Sequence, residues 1–128
     1  MSRQRSASRR AALVAGTPLV LVLAFVFHPY LPGRQPNVEA LGDAVSADAT
    51  HWGVVHLATG LGSALLAVAF LLVATHLSEA GENRWSRMGL PLIVVGCVLY
   101  AMLPAMELAP LAALESGGDP AAAQEELI

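Results

Sequence analysis

The sequence predicts an all-α integral membrane protein with three transmembrane helices and a short amphipathic helix on the outer surface. Three observations carry that prediction. The stretch 52–75 holds no charged group apart from the titratable His56. At about 1.5 Å of rise per residue it is long enough to cross a hydrocarbon core of roughly 30 Å. Two further apolar runs, 11–27 and 88–106, flank it. The composition agrees: 55% hydrophobic and 13% charged residues in a chain of 128 fit one membrane bundle and not several soluble domains. The expected spans are about 11–28, 52–75 and 88–107.

The chain opens on an Arg-rich arm, 1–10, with Arg3, Arg5, Arg9 and Arg10. An arm of this kind before an apolar run also fits a signal peptide, and Ser8-Arg9-Arg10 resembles a twin-arginine signal. No small-x-small cleavage site follows Phe27, however, and the nearest candidate, Ala47-Asp48-Ala49, is about twenty residues too late. The run is therefore expected to be retained as a span. Pro18 is expected in its first turns, where a missing N–H is tolerated.

A loop follows, with Pro32-Gly33 and Pro36 at its start. From Asn37 on, Val38, Leu41 and Val45 recur at helical spacing with Glu39 and Asp43 between them, which predicts a short helix capped by Asn37 and lying on the membrane surface. Asp48 or Thr50 caps the second span, and Trp52 falls where headgroup-belt aromatics sit. Gly81 ends that helix, and the loop 76–87 carries Glu79, Glu82, Arg84 and Arg87. The third run is interrupted by Pro91 and Pro104 and terminated by Glu107. The remainder, 109–128, reads as a polar extracytoplasmic tail with a Gly117-Gly118 break. In it Asp119 as N-cap and Pro120 at the first helical position form a matched start signal.

Orientation follows from arginine, the only basic residue type present. The arm and the 76–87 loop hold six of the seven arginines, and the opposite side holds Arg34 alone. The positive-inside rule places the chain in the cell (cytoplasmic) membrane with the N-terminus in the cytoplasm and the tail outside.

That antiparallel order brings distant polar groups to one depth. His28 ends the first span, His51 and His56 open the second, and Glu107 ends the third. On the second span Gly53, His56, Gly60, Ser63 and Ala67 share a face, as do Gly89, Gly96, Tyr100, Leu103 and Glu107 on the third. Small residues line helix contacts in membranes because they let backbones approach. His56 and Glu107 are therefore expected to point into the bundle. They are the candidate metal ligands, with His28 and His51 as further candidates. Three readings stay open: a structural His–Glu hydrogen bond, a glutamate snorkelling into the headgroups, or a divalent-metal or proton-linked site. Haem is disfavoured, because only His56 is clearly inward. Tyr100 and Cys97 read as packing residues.

Several function classes find no support. There is no CxxC, no HExxH and no phosphate-binding loop, and Gly60 to Ser63 follows no strand. One cysteine permits no internal disulfide. No nucleophile–base pair or complete metal-ligand set is evident, so no catalytic residue is assigned and an enzyme is not expected. Nucleic acid is not an expected partner; the bilayer, other copies of the chain or other membrane subunits are. The pattern His28-Pro29, polar loop, Trp52 with His56, then Glu107 and an Ala/Glu-rich tail resembles multi-pass membrane proteins of GC-rich bacterial genomes. Such proteins usually continue into further spans, so a stop at Leu127-Ile128 departs from their pattern and leaves open that the chain is part of a longer one; the resemblance implies no activity. The sequence thus predicts a non-enzymatic membrane component, either a small subunit or a structural part of an assembly. The alternative is a transporter or ion- and metal-handling protein with a His/Glu site near the outer face. Three helices enclose little space, so transport would require an oligomer or further helices.

Overall fold

The computed structural model describes residues 2–33 and 37–127, with the side chains of 7–33, 37–84 and 86–127. Arg34, Pro36 and Ile128 lie outside the described residues, as do the side chains of Arg3 and Arg5. The described chain is helical throughout: α1 Ser2–Val26, α2 Val38–Ala47, α3 Ala49–Glu79, α4 Arg84–Met106, α5 Ala109–Glu115 and α6 Pro120–Glu125. Three stretches are long and apolar enough to cross a membrane, Ala7–Val26, Ala49–Glu79 and Ser86–Glu115.

Helix α3 is the middle layer, with α1 and α4 packed along it on either side. Thr17, Leu21 and Ala24 recur at steps of four and three and form the buried stripe of α1. They meet α3 at Gly62, where an added Cβ would lie 2.8 Å from Leu21 Cδ2, so the two backbones approach closely. On its other side α3 meets α4 at Gly60, whose missing Cβ would sit 3.7 Å from the ring of Pro104. The buried hydroxyls are satisfied within their own helices. Thr17, Thr59 and Ser63 each donate to the carbonyl four residues back at 2.8 Å, which keeps these polar groups paired where no water is present.

Helix ends follow their sequence signals. Asn37 Oδ1 accepts from Ala40 N and caps α2. Asp48 serves two helices at once: its N–H donates to Ala44 O at the end of α2, and its Oδ1 accepts from His51 N at the start of α3. Gly81 and Gly117 adopt φ of +93° and +79°. Each closes a Schellman turn, with Glu82 N donating to Leu77 O at 2.9 Å and Gly118 N to Ala113 O at 2.8 Å. Asp119 caps α6, with Pro120 at its first position.

Five expectations are corrected. Because α1 runs back to Ser2, Pro18 is interior to it and not in its first turns. The bond that Pro18 cannot make to Val14 is accompanied by the buried Thr17 hydroxyl bonding Leu13 O. Pro91 and Pro104 likewise lie inside a continuous α4. Helix α4 ends at Met106, four residues before Pro110, where the proline ring removes the next hydrogen bond and crowds the carbonyl. The residues after it do not trail as a polar tail but fold back as α5 and α6. They cover the apolar face of α2, so Leu41 and Val45 are buried with Trp52 against Leu111 and Leu114 instead of facing lipid. Trp52 is accordingly 1% exposed and not a headgroup-belt residue. Burial on this scale contributes about 1.5–3 kcal/mol per large apolar side chain.

The fifth correction concerns the inward face of α4. Gly96 and Leu103 are exposed, whereas Cys97 and Pro104 are buried. The small residues of α3 already supply the recess, and the bulkier Pro104 fills it, so α4 needs no small stripe of its own.

Candidate metal centre

Three chain segments converge where α1 ends, α3 begins and α4 ends. His28 follows the last turn of α1, His56 lies two turns into α3, and Glu107 is the C-cap of α4. One ligand atom from each of His28, His56 and Glu107 lies within 4.8 Å of the other two. His51 is not in this group. Its exposed side chain sits elsewhere, with Nε2–H donating to Phe27 O at 2.8 Å.

The orientation of His56 is fixed from two sides. Its ring stacks on the Trp52 indole at 4.2 Å between centroids, and Nδ1 lies 2.7 Å from Trp52 O. A carbonyl only accepts, so Nδ1 carries the proton and Nε2 of the neutral ring keeps its lone pair. His28 repeats the device: its Nδ1 lies 3.0 Å from Pro29 O, which leaves Nε2 as the acceptor. A backbone carbonyl on one ring nitrogen is the arrangement that orients a metal-ligating histidine. Trp52 in turn donates its indole N–H to Glu107 O at 2.7 Å, which ties the end of α4 to the start of α3.

Glu107 Oε2 stands 2.9 Å from His56 Nε2. The distance suits a hydrogen bond, but the direction does not, and Nε2 is a buried polar atom with no hydrogen-bond partner. The short distance records proximity only; the angular test decides, because a hydrogen bond weakens steeply away from linearity. One ligand atom of each histidine and one of the carboxylate therefore gather within 4.8 Å, and His56 Nε2 among them has no hydrogen-bond partner. Bound to one tetrahedral ion at about 2.1 Å, ligand atoms sit about 3.4 Å apart, a spacing between the 2.9 Å contact and the 4.8 Å limit found here. Two histidines and a carboxylate suit zinc and similar divalent transition metals. Haem does not fit between the two histidines: their rings pack edge-to-face with centroids 4.9 Å apart, which leaves no room for a porphyrin.

The centre opens on a cavity of about 710 Å³ lined by His28, Tyr30, Leu41, Glu107 and Gln124 among others. Gln124, on α6, is the residue that sequence reasoning missed. Its side-chain Oε1 is the second buried polar atom without a hydrogen-bond partner among the described residues. No local pattern marks a glutamine in an Ala/Glu-rich segment; only the fold-back places it here.

No family model matches this chain, and comparison with curated proteins and with solved structures finds no match either.

Proposed function

We propose that this chain is a non-enzymatic membrane protein that binds a divalent transition-metal ion, zinc by its donor set, through His28, His56 and Glu107. The reading rests on one observation above the rest. Both histidines give Nδ1 to a backbone carbonyl, the remaining nitrogen of His56 lies against the Glu107 carboxylate without a hydrogen bond, and a ligand atom of His28 lies within 4.8 Å of both. A cation satisfies all three groups together. The ion would join the ends of all three spans, a structural role that needs no substrate and no transport pathway.

Arginine placement gives the orientation. Arg9, Arg10, Arg84 and Arg87 lie at the opposite end of the bundle from the centre, so the positive-inside rule puts the metal centre and the α5–α6 cap outside a cytoplasmic membrane.

The test is zinc titration of the purified full chain in detergent, read by calorimetry and by thermal unfolding. Zinc at about a hundredfold over its Kd should stabilise the protein by about 2.7 kcal/mol. His28→Ala, His56→Ala and Glu107→Ala should each abolish that response. A wild-type protein indifferent to zinc, cobalt and manganese would remove the reading.

A second reading, membership of a larger membrane assembly, has its own support. Gly96 is exposed on α4 and, like Gly89 seven residues earlier, has nothing within 4 Å of where its Cβ would stand. That leaves a shallow groove into which another membrane helix fits. Gly96→Leu should then lower the mass of the particle released in mild detergent, whereas an unchanged mass would count against it.

A further inference from the structure

Helix α6 is held in one position by its start and by its neighbour. Pro120 is buried, and Asp119 Oδ1 accepts from Ala121 N at 2.8 Å. Ala121 lies against Gly42 of α2, where an added Cβ would come 3.1 Å from Ala121 Cβ and 3.4 Å from its backbone nitrogen. This near-contact of two backbones fixes the roll of α6. Three residues on, Gln124 consequently lines the same cavity as His28 and Glu107, with its Oε1 buried and unpartnered.

Acceptors gather at this end of the cavity. The remaining nitrogen of His28 and the Glu107 carboxylate offer lone pairs, His56 Nε2 lies against that carboxylate, and Gln124 Oε1 is buried without a hydrogen-bond partner. Asn37, on the same wall, donates from Nδ2 to Pro32 O and accepts at Oδ1 from Ala40 N. A buried acceptor left alone is unfavourable by about 1–3 kcal/mol, and such groups in native proteins are met by water or an ion. Water alone would bridge two acceptors without balancing the carboxylate charge. An ion held by three protein ligands retains a fourth position for water, and that water carries the protons which Gln124 Oε1 lacks.

We propose that Gln124 accepts a hydrogen bond from the water in this fourth position, so that metal binding latches α6, and with it the C-terminal cap, onto the ends of the three spans. The inference rests on the metal-binding reading above. It makes Gln124 a positioning residue of the centre and the cap a metal-dependent closure.

Limited proteolysis of the full chain in detergent with a glutamate-specific protease tests it, with cutting after Glu115 followed by intact mass and zinc affinity measured in parallel. Saturating zinc should slow cleavage of the wild type at least tenfold, because cutting follows the population of the open cap. Gln124→Leu replaces an unpaired acceptor with an apolar group of similar size, so its metal-free melting temperature should not fall below that of the wild type. That variant should bind zinc about 10- to 100-fold more weakly, as outer-sphere partners generally do when removed, and at saturation zinc should no longer slow cleavage. Gln124→Glu keeps an acceptor oxygen and should restore protection. Equal zinc affinity and equal protection in wild type and Gln124→Leu would overturn the latch while leaving the three-ligand centre standing. A wild type that binds no zinc would overturn both.

Discussion

The indole N–H of Trp52 donates a 2.7 Å hydrogen bond to the backbone carbonyl of Glu107, fifty-five residues away in sequence. The bond ties the end of α4 to the start of α3 and so sets where the Glu107 carboxylate can reach. Trp52→Phe retains most of the apolar volume and deletes the donor, leaving that carbonyl short of a partner. It should lower unfolding stability in detergent by about 1–3 kcal/mol, and Trp52→Ala by about 3–5 kcal/mol. Equal stability of Trp52→Phe and wild type would mean that the bond contributes nothing to the fold.

The coupling between His56 and Glu107 should depend on metal. Their side chains approach to 2.9 Å without a hydrogen bond, so the metal-free double-mutant cycle of His56→Ala and Glu107→Ala should show no favourable coupling. With saturating zinc the coupling should rise above about 1 kcal/mol, because either change alone already breaks the shared centre. A large coupling in chelator-treated protein would show a direct pair instead.

His51 provides the control for that centre. Its ring contributes one hydrogen bond to Phe27 O and takes no part in the His28–His56–Glu107 group. His51→Ala should reduce stability by about 0.5–1.5 kcal/mol and leave the zinc response intact. Loss of zinc binding in this variant would redraw the ligand set.

Gly62 is the point of closest approach between α1 and α3, with Leu21 Cδ2 at 2.8 Å and Cγ at 3.1 Å from an added Cβ. Gly62→Leu should force the two helices apart at a cost of about 1–3 kcal/mol. Because His28 rides on the end of α1, the same variant should also weaken zinc binding. Retained stability would show that Leu21 can turn away without moving α1.

The proposed orientation is open to labelling. Tyr30 is 87% exposed and lines the same cavity as His28 and Glu107. In a Cys97→Ser background, Tyr30→Cys should react with an impermeant thiol reagent in whole cells. Reaction only after permeabilisation would invert the topology.

Much of this architecture could be read from the chain. Three apolar runs gave three long helices, and Asn37, Gly81 and Asp119-Pro120 marked ends that the structure places within a residue or two. Those signals are local: a cap or a span is decided by the few residues that form it. The convergence of His28, His56 and Glu107 was legible as a shared depth, because antiparallel helices of similar length bring alternate ends together. What could not be read depended on partners distant in sequence. Trp52 carries the same pattern whether lipid or α5 covers it. Leu111 and Leu114 look like part of a polar tail until they meet Leu41 and Val45. The inward face of α4 was misread because glycine marks a close approach without saying which neighbour approaches. Gln124 had no signal at all, since its role exists only once the chain has folded back.

Asp48 alone separates α2 from α3 and caps both. With a joint of one residue the two helices are closer to a bent lever than to two freely linked rods. A bilayer that thickens or thins changes the tilt of long helices that cross it, and a tilt of α3 would carry the short arm with it unless the packing of α2 on α6 held it back. Ten residues of α2 make that arm about 15 Å long, so about 10° of rotation moves its far end by about 2.6 Å. That far end, at Asn37 and Val38, is a wall of the cavity that His28, just after α1, also lines. The width of the cleft above the candidate centre would in this way follow the tilt of α3.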